Sequence, residues 1–536
     1  MTEIMKLPIG IGLLLSVVFD SASVHGEEDD TTRAPNIIFF LVDDLGWRDL
    51  GCYGSDFYET PHIDRFAQEG VKFTNAYAAC HVCSPTRSSI LTGKYPARNN
   101  MTDWIPGRRD FPFQQYLNVP TGQFLPFEEI TLAEALRHHG YTTAAVGKWH
   151  LGKAPSTPDA HGFDWHIPRN WSRGAPNRTF YAPYELEGLE DAPKGEYLTD
   201  RLTDEALGFI EANREKPFFL YMAHFAVHDP IQGRLDLVEK YDAKLKIQPS
   251  KTDQPYRLEG NPDAHESLGR EELDQLIEQD AWKGYGVLPQ RTVKIKQSQD
   301  NPQFAGMVEA VDQSLGRILT ALDEWDLEDD TIIIFFADNG GMAGMNVGRP
   351  TRTVSEEQLD VAFSTSVLPL RGAKGWLYEG GIRVPCIVKW PGKGRQGTVS
   401  DEPIISTDFY PSILQMAGLP LLEEQHQDGV SIVPLLQGAN SLNREAIYWH
   451  FPHYSNHGMQ PPAGAIRSGD FKLIEYFENH HAQLFNLRDD IGEQINLATV
   501  LPEKVAEMRS KLRAWRIEID ARMNELNPHF DPLSGK

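Results

Sequence analysis

Cysteine is scarce in this sequence. Only four cysteines occur among 536 residues, at Cys52, Cys80, Cys83 and Cys386. A disulfide-framework protein carries far more cysteine, so that class is excluded and stability must come from a buried core. The length exceeds one ordinary domain, and the 40% hydrophobic fraction supports a large core with a smaller companion.

Positive charge is also scarce. The 51 lysines and arginines are outnumbered by 76 aspartates and glutamates, which gives a formal net charge of -25. This balance disfavours nonspecific binding to nucleic acid or to anionic membrane surfaces, so we expect no nucleic-acid partner. An anionic substrate would need positive charge concentrated at its own binding site.

The sequence has no long apolar run beyond its amino terminus. Residues 8–19 (PIGIGLLLSVVF) follow Lys6 and precede small and polar residues up to Gly26, which is the layout of a signal peptide over residues 1–26. The run is short for a membrane span, so we expect none in the mature protein, with an uncleaved membrane or lipid anchor as the lesser alternative. We expect export to the periplasm or the extracellular space, or to a lysosomal or secretory compartment in a eukaryote.

Two similar apolar runs each end in acidic or amide residues. They are residues 36–42 (NIIFFLV) before Asp43 and Asp44, and residues 331–337 (TIIIFFA) before Asp338 and Asn339. Both runs are typical of strands buried on both faces. Helical patterns over 132–138, 203–213 and 303–325 alternate with strand patterns over 142–146 and 217–223. This alternation predicts an α/β fold with a mostly parallel sheet and a site at the carboxyl ends of its strands.

The character of the chain changes near residue 440. Residues 465–477 and 482–487 predict a small antiparallel sheet, and residues 502–525 predict a terminal amphipathic helix. We therefore predict a catalytic domain over 34–435 and a C-terminal subdomain over 440–536. The polar, weakly periodic segment 234–298 is interpreted as an excursion from the core.

The most informative stretch is C-S-P-T-R at residues 83–87, followed by S-S-I-L-T-G. Pro85 suits the first turn of a helix and Gly93 its end, which predicts that Cys83 lies just before a helix N-terminus, where anions are favoured. Arg87 would add positive charge one turn later. From the residues alone, an inert buried thiol is the more common role for a single cysteine.

Other polar residues suggest a metal and acid–base groups. The oxygen-bearing side chains after the two buried runs suit a hard cation such as Ca²⁺ or Mg²⁺, although a solvated turn is the default for an acidic pair. Lys148 and His150 alternate near a predicted strand end and could face one site, or could be a solvated lysine and a core histidine. His224 and His228 follow another apolar run.

Several ordered motifs resemble those of the type I sulfatases in the alkaline phosphatase superfamily. Besides C-S-P-T-R and L-T-G, they are D-D-L-G-W at 43–47, G-K-W-H-L-G at 147–152, D-N-G at 338–340, R-G-A-K-G at 371–375, E-G-G-I-R-V-P at 379–385 and L-F-N-L at 484–487. The resemblance extends from about residue 35 to the end. It implies a large mixed, mostly parallel sheet flanked by helices, with a smaller C-terminal α+β subdomain.

The resemblance also implies a maturation step and a set of site residues. A formylglycine-generating enzyme would oxidise Cys83 to formylglycine, whose hydrated aldehyde attacks sulfur. One calcium ion would be held by Asp43, Asp44, Cys83, Asp338 and Asn339. Lys148 would contact sulfate, His150 would act as a base and His228 as the acid for the leaving oxygen, with Lys374 sharing that role or binding sulfate. Arg383 would position its loop, and His224 would be structural.

Alternative functions differ in the groups they need. A related phosphoesterase would require a second metal with a histidine-rich ligand set, which is not evident, and a sulfotransferase would require a phosphate-binding glycine-rich loop. A noncatalytic glycan-binding protein would not need Cys83, Arg87 and all four oxygen ligands. We expect a sulfated carbohydrate substrate, for which Trp104, Arg108 and Arg109 are candidate contacts, although each could equally be an ordinary core or surface group.

Overall fold

The computed structural model describes residues 33–169, 174, 176, 179–249, 256–259, 275, 293–345, 364–455, 457 and 460–531. The predicted signal peptide lies outside these residues, as does most of the excursion predicted over 234–298. Within the described part, no helix is both long and apolar enough to cross a membrane.

The described strands run in chain order as follows. They are β1 (Asn36–Val42), β2 (Val71–Tyr77), β3 (Thr142–Gly147), β4 (Trp165–Ile167), β5 (Phe218–Ala223), β6 (Tyr256–Glu259), β7 (Val293–Lys296), β8 (Thr331–Ala337), β9 (Gly344–Met345), β10 (Arg383–Lys389), β11 (Thr398–Ser400), β12 (Ile404–Ile405), β13 (Ile447–Phe451), β14 (Ala463–Ser468), β15 (Phe471–Tyr476) and β16 (Ala482–Asn486).

The described α-helices form a second set. They are α1 (Pro61–Glu69), α2 (Cys83–Thr92), α3 (Leu132–His138), α4 (Leu198–Ala212), α5 (Leu235–Ile247), α6 (Pro302–Glu324), α7 (Glu379–Ile382), α8 (Phe409–Met416), α9 (Val433–Leu436) and α10 (Pro502–Glu518).

The large sheet confirms the predicted fold class. Its order is β11-β2-β10-β8-β1-β5-β3-β4, with β12 also paired to β2. β1 is parallel to both β8 and β5, whereas β10 is antiparallel to β8 and β2, so the sheet is mixed and mostly parallel. β1 and β8 are buried along their whole length, as their uninterrupted apolar sequences require.

The C-terminal region forms the predicted antiparallel sheet. Its order is β13-β14-β15-β16, and α10 packs on β14 and β15. β13 was not predicted, although in its sequence, IYWHF, the apolar Ile447, Trp449 and Phe451 alternate with Tyr448 and His450. The helix predicted over 502–525 ends at Glu518, and the helix predicted over 203–213 starts earlier, at Leu198. Ala34–Lys536 forms one compact unit, so the division near residue 440 stays a prediction.

Candidate active site

The two acidic strand ends meet at one edge of the large sheet. Val42 at the end of β1 pairs in register with Ala337 at the end of β8, so the residues that follow are neighbours. The backbone N–H of Asp44 donates to Asp338 Oδ1 at 3.2 Å, and Asn339 Nδ2 donates to Asp44 Oδ1 at 2.7 Å. The register therefore explains how residues almost 300 positions apart form one polar centre.

This centre has the donors of a cation site. One oxygen each from Asp43, Asp44 and Asp338 lies within 4.8 Å of the others and of Cys83 Sγ. Burial and the Asp338 carboxylate raise the pKa of Asp43 to about 7, because three like charges are crowded together. Asn339 Oδ1 is buried and has no hydrogen-bond partner in the described part of the chain. These oxygens fit a hard metal ion, which would satisfy the amide and neutralise the carboxylates.

Cys83 is the first residue of α2 rather than the residue before it. Its Sγ lies 3.6 Å from Asp43 Oδ1 and 3.7 Å from Lys374 Nζ. The helix ends at Gly93, whose φ of 69° is the left-handed conformation that glycine adopts readily. Burial raises the pKa of the Cys83 thiol to about 12 even though Lys148 and Lys374 oppose the shift. At neutral pH the unmodified thiol is therefore protonated and is a poor nucleophile.

Three buried cations balance the three carboxylates. Arg87 Nε and one terminal nitrogen lie 2.9 and 2.8 Å from Asp338 Oδ2. Lys148 Nζ pairs with Asp43 Oδ2, and Lys374 Nζ lies 2.7 Å from Asp44 Oδ1. We call these six residues, Asp43, Asp44, Asp338, Arg87, Lys148 and Lys374, the active-centre cluster.

Arg87 also fixes its neighbour. Another nitrogen of the guanidinium donates to the backbone oxygen of Lys148 at 2.8 Å, so Arg87 holds both Asp338 and the segment that carries Lys148. The positive charge predicted for Arg87 is thus already paired with Asp338. In the described structure, Lys148 and Lys374 are the cations closest to Cys83 that an anion could recruit from their carboxylate partners.

Two histidines beside the active-centre cluster have pKa values shifted in opposite directions. Although burial and Lys374 oppose protonation, Asp44, Asp43 and Asp229 hold the pKa of His228 above its ordinary value. Its Nδ1 lies 2.8 Å from Asp229 Oδ1, and its Nε2 lies 3.6 Å from Asp44 Oδ2. His228 is therefore arranged to carry a proton.

His150 is arranged to be neutral. Burial and Lys148 lower its pKa well below the ordinary value, and its Nε2 lies 2.9 Å from the Ile105 carbonyl oxygen. Its Nδ1 is buried and has no hydrogen-bond partner among the described residues. The prediction that Lys148 and His150 alternate on a strand was wrong, because β3 ends at Gly147 and His150 has a φ of 55°. Both side chains are buried near the cluster nonetheless.

The remaining candidates lie in supporting positions. His224 is fully buried, with Nε2 3.0 Å from Ser314 Oγ, which agrees with a structural role. Arg383 donates from Nε to the Thr74 carbonyl and stacks on Trp47, so it braces the strand rather than entering the centre.

The three candidate carbohydrate contacts lie on one loop. Trp104 is partly buried against the C-terminal hydrophobic cluster, and Arg108 donates to the carbonyls of Tyr454 and Ser455 at 3.2 and 3.0 Å. Arg108 and Arg109 both stack on Phe111. The same loop supplies the Ile105 carbonyl that lies against His150, so it borders the candidate active site.

Two residues of the site carried no assigned role at the sequence level. Asp229 follows His228 in the H-D-P motif, and its carboxylate contacts the His228 ring. His457 interacts electrostatically with Lys374, Asp44 and His228, and burial and Lys374 lower its pKa to about 3. Asp229 could have been found from its adjacency to His228, whereas no motif marks His457.

Comparison with known proteins assigns this arrangement to a family. A model described as Sulfatase matches residues 35–419, and one described as N-sulphoglucosamine sulphohydrolase, C-terminal, matches residues 373–518. A sulfatase of Formosa agariphila is 30% identical to this chain, and the alignment covers 95% of this chain and 93% of that protein. An N-acetylgalactosamine-6-O-sulfatase of Bacteroides thetaiotaomicron is 26% identical, covering 96% and 98%.

A solved structure agrees with these relatives. The crystal structure of Ps i-CgsB in complex with k-i-k-neocarrahexaose has a TM-score of 0.64 and 26% identity, and the match covers 90% of this chain and 93% of that one. Both groups of candidate ligands in the described residues share Asp44 and Cys83, so they belong to one centre. Sulfatases are sulfuric ester hydrolases. Because the Sulfatase model matches most of the length of this chain, the chain belongs to the type I sulfatase family, within the alkaline phosphatase superfamily.

Proposed function

We propose that this protein hydrolyses sulfate esters of carbohydrates, with formylglycine made from Cys83 as the nucleophile and one calcium ion as cofactor. The observation that carries the proposal is the active-centre cluster, in which Cys83 lies between Asp43 and Lys374. The carbohydrate class is supported by relatives named for N-acetylgalactosamine-6-sulfate and by the related structure bound to k-i-k-neocarrahexaose.

The case for modifying Cys83 rests on its surroundings. An unmodified thiol with a pKa of about 12 would be almost entirely protonated at neutral pH, although the site brings two lysines to it. Hydrated formylglycine supplies one hydroxyl to attack sulfur and a second whose deprotonation releases sulfate. The position of Cys83 at the start of α2 directs backbone N–H groups toward negative charge developing there.

The case for calcium rests on the donor set. Asp43, Asp44, Asp338 and Asn339 offer only oxygen, which favours a hard cation over zinc. Bound calcium would neutralise sulfate oxygen and lower the pKa of the nucleophile. With the carboxylates so engaged, the ammonium groups of Lys148 and Lys374 become available to bind the anionic ester.

The roles of His150 and His228 in acid–base catalysis are assigned from the direction of their pKa shifts. His150 is held neutral by burial and Lys148, and its partnerless Nδ1 suits a base that accepts a proton from the nucleophile. Carboxylates, Asp229 among them, hold the pKa of His228 above its ordinary value, which suits the acid that protonates the departing sugar oxygen. Alkoxides of sugars are poor leaving groups, so this acid matters more for sugar sulfates than for aryl sulfates.

Maturation and export complete the proposal. Conversion of Cys83 requires a formylglycine-generating enzyme as partner, and the apolar segment 8–19 supports export before the enzyme meets an extracellular carbohydrate. Both statements can be checked on protein secreted by its native host, by determining the mature amino terminus and the mass of the peptide that contains Cys83.

The main test measures release of sulfate and phosphate from matched esters and from sulfated oligosaccharides. The protein is co-produced with a formylglycine-generating enzyme, beside Cys83→Ala and the control Cys80→Ala, which removes another buried thiol three residues away. We expect sulfate release by the parent and the control and none by Cys83→Ala. Phosphate release alone, or activity that survives loss of Cys83, would refute the assignment.

A further inference from the structure

The loop that carries Lys374 is held at both ends by one residue from the C-terminal region. We call residues 371–379 the Lys374 loop. At its start, Arg371 donates to the backbone oxygen of Glu493 at 2.9 Å, and at its end the N–H of Glu379 donates to Glu493 Oε2 at 2.7 Å. Glu493 follows the L-F-N-L motif, for which the reaction itself supplies no role.

A buried ion pair ties the same residue to the C-terminal sheet. Lys472 on β15 lies with Nζ 2.9 Å from Glu379 Oε1 and 2.9 Å from Glu493 Oε1. Glu379 also accepts from Tyr77 at 2.7 Å. All three charged side chains are fully buried. We call Glu379, Lys472 and Glu493 the junction cluster, because it joins the Lys374 loop to the C-terminal sheet.

The backbone of Glu493 indicates that its side chain is needed at this position. Its φ is 51°, a left-handed conformation that glycine or asparagine would adopt at lower cost. A glutamate in this conformation is explained by what its carboxylate does, which is to cap the first N–H of α7 and to meet Lys472. The contacts thus outweigh a local backbone preference.

The Lys374 loop transmits this anchoring directly to the active centre. The N–H of Lys374 donates to the Gly341 carbonyl at 3.0 Å, and the N–H of Gly375 donates to the His81 carbonyl at 3.0 Å. The backbone of the loop packs directly on α7, because a Cβ on Gly381 would lie 2.0 Å from the Trp376 carbonyl oxygen. The placement of Lys374 beside Asp44 and Cys83 therefore depends on where the loop ends are fixed.

We propose that Glu493 is a positioning residue that acts from the C-terminal region by holding the Lys374 loop so that the Lys374 ammonium faces Cys83. The inference rests on the proposed role of Lys374 in binding the sulfate group. It assigns the C-terminal region a part in the chemistry at the large sheet, with no contact between Glu493 and the substrate.

The test uses Glu493→Gly, which removes the side chain and suits the left-handed backbone, and Glu493→Gln, which keeps its length and an acceptor. Each is made in the parent and in a Lys374→Ala background. Asp312→Ala is the matched control, because Asp312 is a fully buried carboxylate that accepts from the N–H of Ile63 in α1, remote from the loop. We measure kcat and KM for sulfate release, the affinity for inorganic sulfate, and the thermal midpoint.

In the parent background we expect Glu493→Gly to lower kcat/KM by about tenfold to a hundredfold and to weaken sulfate binding, because small displacements of a charged group are costly. Glu493→Gln should restore most of this loss. In the Lys374→Ala background, Glu493→Gly should change kcat/KM by no more than about twofold, because the residue acts through Lys374. Asp312→Ala should lower the thermal midpoint without a comparable loss of kcat/KM.

An equal loss caused by Glu493→Gly with and without Lys374 would overturn the proposal, as would an equal loss in Asp312→Ala. If the proposed function itself is wrong, the parent protein releases no sulfate, which distinguishes that outcome from the two results above. In that case the sulfate affinities still decide the point: Glu493→Gly must weaken binding only where Lys374 is present.

Discussion

Two clusters of buried charge differ in how completely the protein satisfies them. In the active-centre cluster, carboxylates from two strand ends crowd together and the neighbouring Asn339 Oδ1 has no partner among the described residues. In the junction cluster, Lys472 lies between the two carboxylates, and Tyr77 and the N–H of Glu379 donate to them. In the first arrangement an amide oxygen beside the carboxylates lacks any partner among the described residues, whereas in the second Lys472 lies 2.9 Å from an oxygen of each carboxylate, although Glu493 Oε1 accepts no well-aligned hydrogen bond.

The comparison shows that a shifted pKa does not by itself identify a functional site. Burial raises the pKa of Asp43 to about 7 and also raises that of Glu493 to about 7. Each of the two also faces a lysine and another carboxylate, Lys148 and Asp338 at Asp43, Lys472 and Glu379 at Glu493. What separates them is that Asp43 lies 3.6 Å from Cys83 Sγ in a centre that contains the partnerless Asn339 Oδ1, whereas Glu493 also accepts from the backbone N–H of Glu379. An unmatched acceptor among like charges is therefore the better indicator of a missing cation.

The largest expected difference between the clusters is in the response to calcium. Asp44→Asn keeps the side-chain shape and tolerates the φ of 60°, but removes a charged ligand. We expect sulfate release to fall about a thousandfold, equivalent to about 4 kcal/mol, and calcium to stop raising the thermal midpoint. Glu379→Gln in the junction cluster is the control. If that variant also lost its calcium response, the distinction between the clusters would fail.

The next largest effect concerns stability. Lys472→Met leaves Glu493 without its ion-pair partner, while Glu379 keeps Arg383 at 3.4 Å, so we expect the free energy of unfolding to fall by about 3 kcal/mol at pH 8. Lys148→Met in the active-centre cluster should cost less when calcium is bound, because the metal neutralises Asp43. Urea unfolding of both variants at saturating calcium measures the difference, and equal losses would contradict it.

The sequence predicted four adjacent strands of the large sheet, β8, β1, β5 and β3, and a centre at their carboxyl ends, but not the flanking strands β2, β4, β10, β11 and β12. The runs at 36–42 and 331–337 are uninterrupted and apolar, so they predict buried parallel strands whose polar ends must meet. Local patterns failed where tertiary packing decides the outcome. His150 lies beyond β3 in a left-handed conformation that the strand pattern does not specify. The five-residue strand β13 was overlooked although its apolar residues alternate.

The supporting residues were harder to predict for a different reason. Lys374 could be assigned by resemblance, but its anchoring by Glu493 joins positions separated by more than 100 residues through one backbone N–H. His457 similarly reaches the centre from a loop of the C-terminal region. Such pairings depend on how two sheets pack, which periodicity within each segment does not specify.

A smaller effect on calcium binding should distinguish Asn339, whose partnerless oxygen lies near carboxylates, from Asn99, whose partnerless oxygen does not. Asn339→Ala removes the partnerless Oδ1 of the active centre, so we expect the calcium midpoint for activity to rise about tenfold, equivalent to about 1.4 kcal/mol. Asn99→Ala is the matched control, because Asn99 Oδ1 is also buried and partnerless, but its amide nitrogen contacts Ser88 and Thr92. Calcium titrations that shifted equally in both variants would deny the amide a role in metal binding.

The last expected effect is the pH dependence of the junction cluster. Burial raises the pKa of Glu493 from 4.5 to about 7, so its contribution to stability is fully present below pH 4.5 and is lost as pH rises through 7. Glu493→Gln cannot titrate, and between pH 5 and 8 its unfolding free energy should therefore gain on the parent's by about 2 to 3 kcal/mol. Urea unfolding with and without calcium should give the same gain, because this cluster holds no ligand. A difference that is flat with pH, or one that appears only with calcium, would show that the two clusters are not independent.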